Sequence, residues 1–342
     1  MDRIRRAGCT LLCGLGMLAL CIAPARLLAG EEGSEAFDLQ GHRGARGLHP
    51  ENTLEGFREA LAIGVDTLEL DLGVTRDGTL VVHHDERLSP DIVRGPDGRW
   101  LDPPTPRLRV LTWKQIGAYD VGRLRPDSEY AARFPDQQPR DGTRIPRFVD
   151  VIELAERISG GTIRYNVETK LNPLDPASTI APAPFAAAVI AALQAAGVES
   201  RTLVQSFDWR TLQHLLASGV DIATACLTDV RAKGGTIRRG ESGPSPWTAG
   251  FDVDDFDGSV PRLVHAAGCR VWSPDYQDLS LPDVQRAHGL GLRVIPWTVN
   301  RSRNITALLD LGVDGMISDH PERVRAVLAE RGLPLPQAFE EP

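Results

Sequence analysis

Short β-type runs and amphipathic helical runs alternate from residue 37 to residue 318, and this alternation constrains the fold more than any other feature. The β-type runs lie at residues 37–41, 67–73, 163–169, 202–206, 221–227, 271–274, 293–298 and 315–318. Apolar strands that alternate with helices are typical of a parallel sheet covered on both faces. Eight such repeats fit a closed (β/α)₈ barrel, or TIM barrel, better than an open sheet, so we predict an α/β barrel.

Two long irregular segments interrupt the alternation. Residues 87–147 are rich in Pro, Asp, Gly and Arg, and residues 232–257 form a second irregular stretch. Helical runs are found at 53–63, 148–158, 184–196, 210–218 and 281–288. Because long irregular segments in compact domains are usually lids or binding loops, we predict a small insertion subdomain at about 87–147.

The first 29 residues have the features of a secretory signal. Arg3, Arg5 and Arg6 precede an apolar run at residues 11–22, and small residues follow before Gly30. This order is that of a cleavable signal, and the apolar run is shorter than the roughly 20 residues that span a membrane. We therefore expect a barrel domain at 30–335 that is exported to the periplasm or secreted, with no stable membrane insertion after cleavage.

The charge of the chain argues against polyanionic partners. The formal net charge is −8 for the full sequence and −11 without residues 1–29, which contain four basic residues and one acidic residue. A body this acidic repels nucleic acid and does not dock tightly on anionic lipid.

Two cysteines, Cys226 and Cys269, lie beyond the predicted signal. An oxidising compartment would permit a disulfide between them. However, Cys226 falls late in one predicted strand and Cys269 just before the next, which places them at opposite ends of the sheet. Since a disulfide requires Cα atoms about 4.4–6.8 Å apart, we expect two free, buried thiols.

Paired acidic residues occupy two of the predicted strands. Glu69 and Asp71 are two residues apart, so both side chains point to one face, which in a barrel is the interior near the catalytic mouth. Glu168 and Lys170 repeat this spacing on the next parallel strand of the repeat. Three neighbouring carboxylates suit Ca²⁺ or Mg²⁺ better than zinc, whereas an exposed edge strand is the alternative for each pair alone. Lys170 could neutralise the cluster or hold a phosphate oxygen.

Histidines and an arginine follow the ends of strands. His42 and Arg43 lie between Gly41 and Gly44 after the first strand, where an arginine fork suits a phosphate. His83 and His84 end a short run that pairs back on the Glu69 strand through a hairpin at residues 75–78. Near-neutral imidazoles could serve as acid and base, although a lone histidine at a strand end is more often structural. Trp297 could stack on a glycerol-sized group or pack in the core.

In combination and in this order, these residues resemble the glycerophosphodiester phosphodiesterase family. The motifs that carry the resemblance are His42-Arg43-Gly44, Pro50-Glu51-Asn52-Thr53, Glu69-Leu70-Asp71, Thr75-Arg76-Asp77-Gly78, His84-Asp85, Ile145-Pro146, Glu168-Thr169-Lys170, Ser206-Phe207-Asp208, Trp297-Thr298-Val299-Asn300 and Gly312-Val313-Asp314-Gly315. They extend over nearly all of the chain beyond the predicted signal. The family also has a (β/α)₈ barrel, in agreement with the strand pattern.

The resemblance implies separate roles for the candidate residues. His42 and His84 would be the acid–base pair, and Arg43 the phosphate clamp. Glu69, Asp71 and Glu168 would bind one Ca²⁺ or Mg²⁺, and Glu51 would support the site. The implied reaction is metal-assisted cleavage of a glycerophosphodiester to glycerol 3-phosphate and an alcohol, with either water or the glycerol 2-hydroxyl as the first nucleophile.

Two other functions are compatible with the same motifs. The first is a phosphodiesterase for lysophospholipids or phosphoinositides, which would require an apolar entrance built from residues 87–147 and 232–257. The second is a phosphate-ligand binding module with an inactive site, which the presence of every expected catalytic residue disfavours.

Overall fold

The computed structural model describes residues 36–231 and 234–341; the predicted signal at residues 1–29 lies outside this part of the chain. Nine strands are present among the described residues: Asp38–Gly41 (β1), Thr67–Val74 (β2), Leu80–Val82 (β3), Arg164–Thr169 (β4), Thr202–Ser206 (β5), Ala223–Thr228 (β6), Val271–Pro274 (β7), Arg293–Val294 (β8) and Gly315–Ser318 (β9). The same part of the chain forms ten α-helices: Leu54–Ile63 (α1), Trp113–Ile116 (α2), Glu129–Ala132 (α3), Phe148–Ser159 (α4), Pro182–Ala196 (α5), Trp209–Ala217 (α6), Val260–Ala266 (α7), Leu281–Gly289 (α8), Ser302–Leu311 (α9) and Pro321–Glu330 (α10).

Eight of the strands form a parallel barrel. Their order is β8-β7-β6-β5-β4-β2-β1-β9, and β3 is antiparallel to β2 outside this path. The barrel closes between β9 and the chain from β8 onward, where Asp314 N–H donates to Val294 O and Ile317 N–H to Pro296 O, at 2.9 and 3.0 Å. The predicted (β/α)₈ barrel is therefore confirmed.

One strand is much shorter than predicted. The β-type run at 293–298 yields only β8, Arg293–Val294. Pro296 has no N–H to donate to a neighbouring strand, so the regular ladder ends there. The chain continues beside β7 without a regular ladder: Ile295 N–H donates to Trp272 O and Trp297 N–H to Pro274 O, each at 3.0 Å, and Trp297 forms an isolated bridge with Asp275.

Alternation along β2 shows how the barrel separates its two layers. Leu68, Leu70 and Leu72 are fully buried in the apolar layer between strands and helices, while Glu69 and Asp71 point the other way into the barrel. On α1, Thr53 caps the first turn by accepting a hydrogen bond from Gly56 N–H. The helices thus cover the outer face of the barrel, and Glu69 and Asp71 face its interior.

Residues 87–147 form a small subdomain with an apolar cluster of its own. The cluster contains Leu88, Ile92, Val93, Leu108, Ile116, Val121 and Ile145. The segment begins just after β3, and it returns beside β3 because Val82 N–H donates to Pro146 O at 2.9 Å. In residues 87–147, all of which the structure describes, α2 and α3 are the only helices longer than three residues.

The prediction of two free thiols is wrong, because Cys226 and Cys269 form a disulfide with Cα atoms 5.9 Å apart. Cys226 lies within β6 and not at its end, opposite Trp272 of β7. The chain just before β7 already runs beside β6, since Arg270 N–H donates to the carbonyl of Thr224 at 2.9 Å. Cys269 therefore lies close to Cys226 and not at the far end of the sheet.

Candidate active site

Three carboxylates meet inside the barrel near the carboxyl ends of β2 and β4. These strands pair in parallel with Asp71 opposite Glu168, and Glu69 lies two residues before Asp71 on the same face. Each of the three side chains is buried and offers one oxygen, and the three oxygens lie within 4.8 Å of one another. The predicted acidic set is thus brought together by strand register.

Hydrogen bonds from neighbouring strands and loops hold this set in place. Gln205 Nε2 and the Arg43 N–H donate to the two oxygens of Glu69, at 2.8 and 2.9 Å. Asn52 Nδ2 donates to Oδ2 of Asp71 at 2.8 Å, and Lys170 Nζ donates to Glu168 at 2.7 Å. Oδ1 of Asp71 is buried and accepts no hydrogen bond, although Lys170 Nζ lies 3.5 Å from it. One oxygen of the cluster is therefore without the donor that burial normally demands.

Burial and repulsion divide the charge unequally among the carboxylates. Desolvation, with the charges of Asp71 and Glu168, raises the pKa of Glu69 well above its usual value. Desolvation also raises the pKa of Glu168. Against desolvation, Arg43 and Lys170 hold the pKa of Asp71 well below its usual value. Arg43 and Lys170 compensate only part of the acidic charge of the cluster, and its all-oxygen donor set fits Ca²⁺ or Mg²⁺ better than zinc.

Arg43 lies beside this cluster in a sharply turned loop. Its φ of 51° is in the left-handed region, and the next residue, Gly44, has a φ of 89°. A Cβ at Gly44 would come within 2.6 Å of the Gly56 backbone, so only glycine fits there. The guanidinium donates to Glu51 at 2.7 Å, and its Nε is 3.1 Å from Asp71 Oδ2. Glu51 thus fixes the orientation of Arg43, as expected for a supporting residue.

The imidazole of His42 is oriented from the last barrel strand. Its Nδ1 is 2.7 Å from Oδ1 of Asp319, directly after β9, and its Nε2 is 3.8 Å from Glu69. Arg46 Nε and Asn300 Nδ2 each donate to Asp319 at 2.7 Å. Desolvation and Arg46 lower the pKa of His42 to about 4, in spite of Asp319. His42 is therefore neutral near pH 7, with Nε2 turned towards the carboxylates.

The hairpin of β2 and β3 returns His84 to the same mouth of the barrel. His84 lines the cavity described below, and its Nδ1 is 2.7 Å from Asp85. The neighbouring His83 is buried outside that cavity, and its Nε2 is 3.4 Å from the Arg87 carbonyl. Desolvation, with Arg43, lowers the pKa of His84 to about 4. The structure thus selects His84 from the histidine doublet as the ring at the site.

All nine predicted site residues border or lie directly beneath one cavity of about 340 Å³. Eight of them line it: His42, Arg43, Glu51, Glu69, His84, Glu168, Lys170 and Trp297. Asp71, the ninth, lies just below, in contact with Arg43 and Lys170. Trp297 lines the cavity and packs against the barrel interior, and its ring meets Phe207 edge to face at 5.3 Å between centroids.

Several residues of the site were not predicted from the sequence. They are Arg46, Asn52, Tyr130, Gln205, Asn300 and Asp319. Tyr130 reaches the site from α3 of the insertion, where its hydroxyl donates a short hydrogen bond to Glu51. Position at the end of the last strand was a usable signal for Asp319, whereas the irregular sequence around Tyr130 contains none.

Comparisons with known proteins identify the family of this chain. A model of the Glycerophosphoryl diester phosphodiesterase family matches residues 42–323. A glycerophosphodiester phosphodiesterase of Caldanaerobacter subterraneus is 25% identical over 298 residues, which cover 85% of this chain and 97% of the relative. The solved structure of a candidate glycerophosphoryl diester phosphodiesterase from Silicibacter pomeroyi is 34% identical with a TM-score of 0.77, over 88% of this chain and 95% of that one.

A second solved structure is similar in fold. It is an Oleispira antarctica phosphodiesterase in complex with the product sn-glycerol-3-phosphate, 19% identical, with a TM-score of 0.62 over 85% of this chain and 96% of that one. The family match covers most of the described chain, and the nine predicted site residues, which lie in or beside one cavity at the mouth of the barrel, all fall within the matched range. This chain belongs to the glycerophosphoryl diester phosphodiesterase family and is a phosphoric diester hydrolase.

Proposed function

We propose that this enzyme hydrolyses glycerophosphodiesters to glycerol 3-phosphate and an alcohol, with one divalent cation and with His42 and His84 as the acid–base pair. The observation that carries the proposal is the convergence of several side chains on one cavity of about 340 Å³. They are the two imidazoles, the basic side chains of Arg43 and Lys170, and the three carboxylates of Glu69, Asp71 and Glu168. The names of the relatives, and the product bound in the Oleispira structure, support glycerophosphodiesters as the substrate class.

Glu69, Asp71 and Glu168 would hold the cation, which we propose to be Ca²⁺ or Mg²⁺. When bound, such an ion supplies Lewis-acid polarisation of a phosphoryl oxygen. The unbonded Oδ1 of Asp71 and the raised pKa of Glu69 support a cation at this place. Lys170 and Arg43 already compensate part of the acidic charge. Both side chains line the cavity, where they would bind the phosphate.

The two histidines would divide the proton transfers. Asp319 and Asp85 each hold an Nδ1, so that both Nε2 atoms are left for the substrate. One imidazole accepts the proton of the attacking hydroxyl as its oxygen forms a bond to phosphorus. The other, protonated when the phosphodiester anion lies beside it, gives its proton to the alcohol oxygen as the P–O bond to that alcohol breaks. The attacking hydroxyl belongs either to water or to the glycerol, and a transient cyclic phosphate would identify the second route.

The direct test is the release of glycerol 3-phosphate from glycerophosphocholine by the purified protein. We expect activity to be lost on thorough chelation and restored by Ca²⁺ or Mg²⁺. His42→Ala and His84→Ala should each lower kcat by about 10²–10⁴-fold, the usual contribution of general acid–base catalysis. The exposed His214 of α6 provides the matched control, His214→Ala. Activity that survives chelation, or histidine variants of near-normal kcat, would contradict the assigned roles.

The same assay separates an enzyme from a binding module. An inactive site would bind glycerol 3-phosphate in a calorimetric titration without producing any from the diester. The complete set of candidate catalytic residues around one cavity supports turnover.

We also propose that the protein is exported, to the periplasm or the medium, with residues 1–29 as a cleavable signal. The order of basic, apolar and small residues in the sequence supports this, as does the disulfide, which persists in oxidising compartments. Within residues 36–231 and 234–341, no helix is long and apolar enough to cross a bilayer. Amino-terminal sequencing of the protein recovered from each cell fraction tests the proposal, which a full-length cytoplasmic protein would contradict.

A further inference from the structure

A second cavity continues from the catalytic cavity and is larger, at about 730 Å³ against about 340 Å³. We call it the outer groove. The two cavities share a wall formed by His84, Asp85, Ser89, Glu168, Lys170 and Phe207. Beyond this wall, the outer groove has a mainly apolar lining of Leu88, Pro90, Pro103, Pro104, Leu171 and Trp247, and the polar residues Glu86, Arg87, Thr105 and Asn172 complete it. Both irregular segments of the sequence contribute to it.

The apolar walls are fixed by hydrogen bonds of the backbone. The carbonyl of Trp247 accepts a hydrogen bond from Trp209 N–H at 2.9 Å, and its ring packs edge to face on Phe207. On the opposite wall, Leu88 N–H donates to Pro106 O at 2.9 Å, and Arg87 Nη1 donates to Thr105 O at 2.6 Å. These contacts hold both walls of the outer groove in place.

The two cavities differ in the chemistry that they offer. The catalytic cavity presents imidazoles, a guanidinium and carboxylates, which suit a phosphodiester anion and the hydroxyls of glycerol. The outer groove combines a larger volume with proline, leucine and tryptophan walls, which suit an apolar group. A ligand that occupies both has a charged phosphorus centre at one end and an apolar group at the other.

We propose that the outer groove binds the alcohol half of the diester and selects alcohols that carry an apolar group. The inference rests on the proposed function and assigns a substrate class to that site. His84 belongs to the shared wall, so it faces an alcohol oxygen that points into the outer groove. When the P–O bond to that alcohol breaks, the oxygen keeps the bonding electrons and takes the proton of His84. The glycerol half stays among the polar groups of the catalytic cavity.

Chain length of the alcohol is the quantity to vary. The substrates are the ethyl and octyl esters of glycerol 3-phosphate, below micellar concentration, together with glycerophosphocholine and lysophosphatidylcholine. In lysophosphatidylcholine the apolar chain is on the glycerol half. Since burial of each methylene group is worth about a three- to fourfold change in affinity, we expect kcat/KM for the octyl ester to exceed that for the ethyl ester at least about tenfold.

Two variants of the groove and one control make the test specific. Trp247→Ala removes part of one wall, and Pro90→Asp places a charge on the other without removing a backbone donor. Each should lower the octyl-to-ethyl ratio of kcat/KM about tenfold. Trp100→Ala, which alters a tryptophan of the insertion that lines neither cavity, should leave the ratio unchanged.

The outcomes separate this inference from the proposed function. Equal kcat/KM for the ethyl and octyl esters, with metal-dependent cleavage of glycerophosphocholine, overturns the inference and leaves the function intact. Preference for lysophosphatidylcholine over the octyl ester also overturns it, because the apolar group would then lie on the glycerol side. Failure to release glycerol 3-phosphate from any of these diesters overturns both.

Discussion

His42 and Asp319 illustrate how a contact between single residues determines the chemistry of this site. The 2.7 Å hydrogen bond between Asp319 and Nδ1 fixes the imidazole tautomer, so that Nε2 carries the lone pair on the side of the cavity. Arg46 and Asn300 in turn hold the two oxygens of Asp319. Asp319 touches no carboxylate of the metal set and acts through His42, which makes it a positioning residue.

Asp319→Asn should lower kcat by about 10²–10⁴-fold with little change in KM, because the amide can stabilise the wrong tautomer of His42. Steady-state kinetics on glycerophosphocholine measures the two constants separately. Asp310→Asn, at an exposed ion pair with Arg331, is the matched control and should be neutral. A purely structural role for Asp319 would instead appear as a lower melting temperature with normal kcat in the folded fraction.

Glu69→Gln tests the metal centre without an activity assay. The amide keeps an acceptor for the Arg43 N–H, and it cannot carry the negative charge that a cation would bind. Since burial and the neighbouring carboxylates already raise the pKa of Glu69, we expect the free energies of unfolding of the metal-free variant and the metal-free wild type to differ by no more than about 1 kcal/mol. Added Ca²⁺ should raise the melting temperature of the wild type only. An equal Ca²⁺-dependent shift in both proteins would place the cation elsewhere.

At the scale of elements, the Cys226–Cys269 disulfide ties the end of the α7–β7 connection to β6. It closes a loop with a sequence separation of 43 residues, for which the chain-entropy account gives about 4 kcal/mol. The paired substitution Cys226→Ala and Cys269→Ala should lower the free energy of unfolding by about 2–4 kcal/mol, as measured in urea, while the folded enzyme keeps its kcat.

Reduction provides the control for that prediction. A reductant should destabilise the wild type to a similar extent and leave the double variant unchanged. Destabilisation of both proteins by reductant would show that it acts at another site.

The insertion contacts the active site through α3. Tyr130 donates a hydrogen bond to Glu51, and Glu51 orients Arg43 beside the carboxylates. Tyr130→Phe removes a bond to a buried charged group, which is worth about 1.5–3 kcal/mol, so kcat/KM should fall about tenfold or more. Tyr119→Phe, in the same insertion but outside both cavities, is the control. Unchanged kinetics for Tyr130→Phe would show that Glu51 orients Arg43 unaided.

At the scale of the whole molecule, the barrel interior has a polar half and an apolar half. Gln40, Asn166 and Gln205 form a buried chain of hydrogen bonds that ends at Glu69. Across the barrel, Ala225, Val271, Ile295 and Ile317 form a small apolar cluster beneath Trp297. The carboxylates are thus supported by a rigid polar layer, and the aromatic wall of the cavity by an apolar one.

All residues that we assign to the site lie between His42 and Asp319. A protein that begins at Gly30 should therefore show the same kcat/KM for glycerophosphocholine as the full-length chain. Parallel kinetics on the two proteins checks this. A substantial loss in the shorter one would mean that residues 1–29 contribute to the active enzyme.

The sequence predicted the residues of the site that local patterns place, and it missed residues whose contacts join distant parts of the chain. Glu69, Asp71 and Glu168 are placed by strand alternation and register, and His84 by a short hairpin, all of which leave local patterns. Asp319 contacts His42 across 277 residues, a pairing that only closure of the barrel creates. The error on Cys226 and Cys269 has a similar origin, because their distance depends on how far one strand is offset along the next.

The two ends of the insertion lie side by side, since it leaves the barrel after β3 and returns where Pro146 accepts a hydrogen bond from Val82. The segment also contacts the barrel between its ends, because Tyr130 donates a hydrogen bond to Glu51 and Gln137 Nε2 donates one to the Arg46 carbonyl. The barrel strands and the loop after β1 carry the carboxylates and His42, whereas the insertion carries one wall of the outer groove. A transplant of residues 87–145 from a relative that keeps Tyr130 should therefore change the preferred alcohol and leave the carboxylate cluster in place.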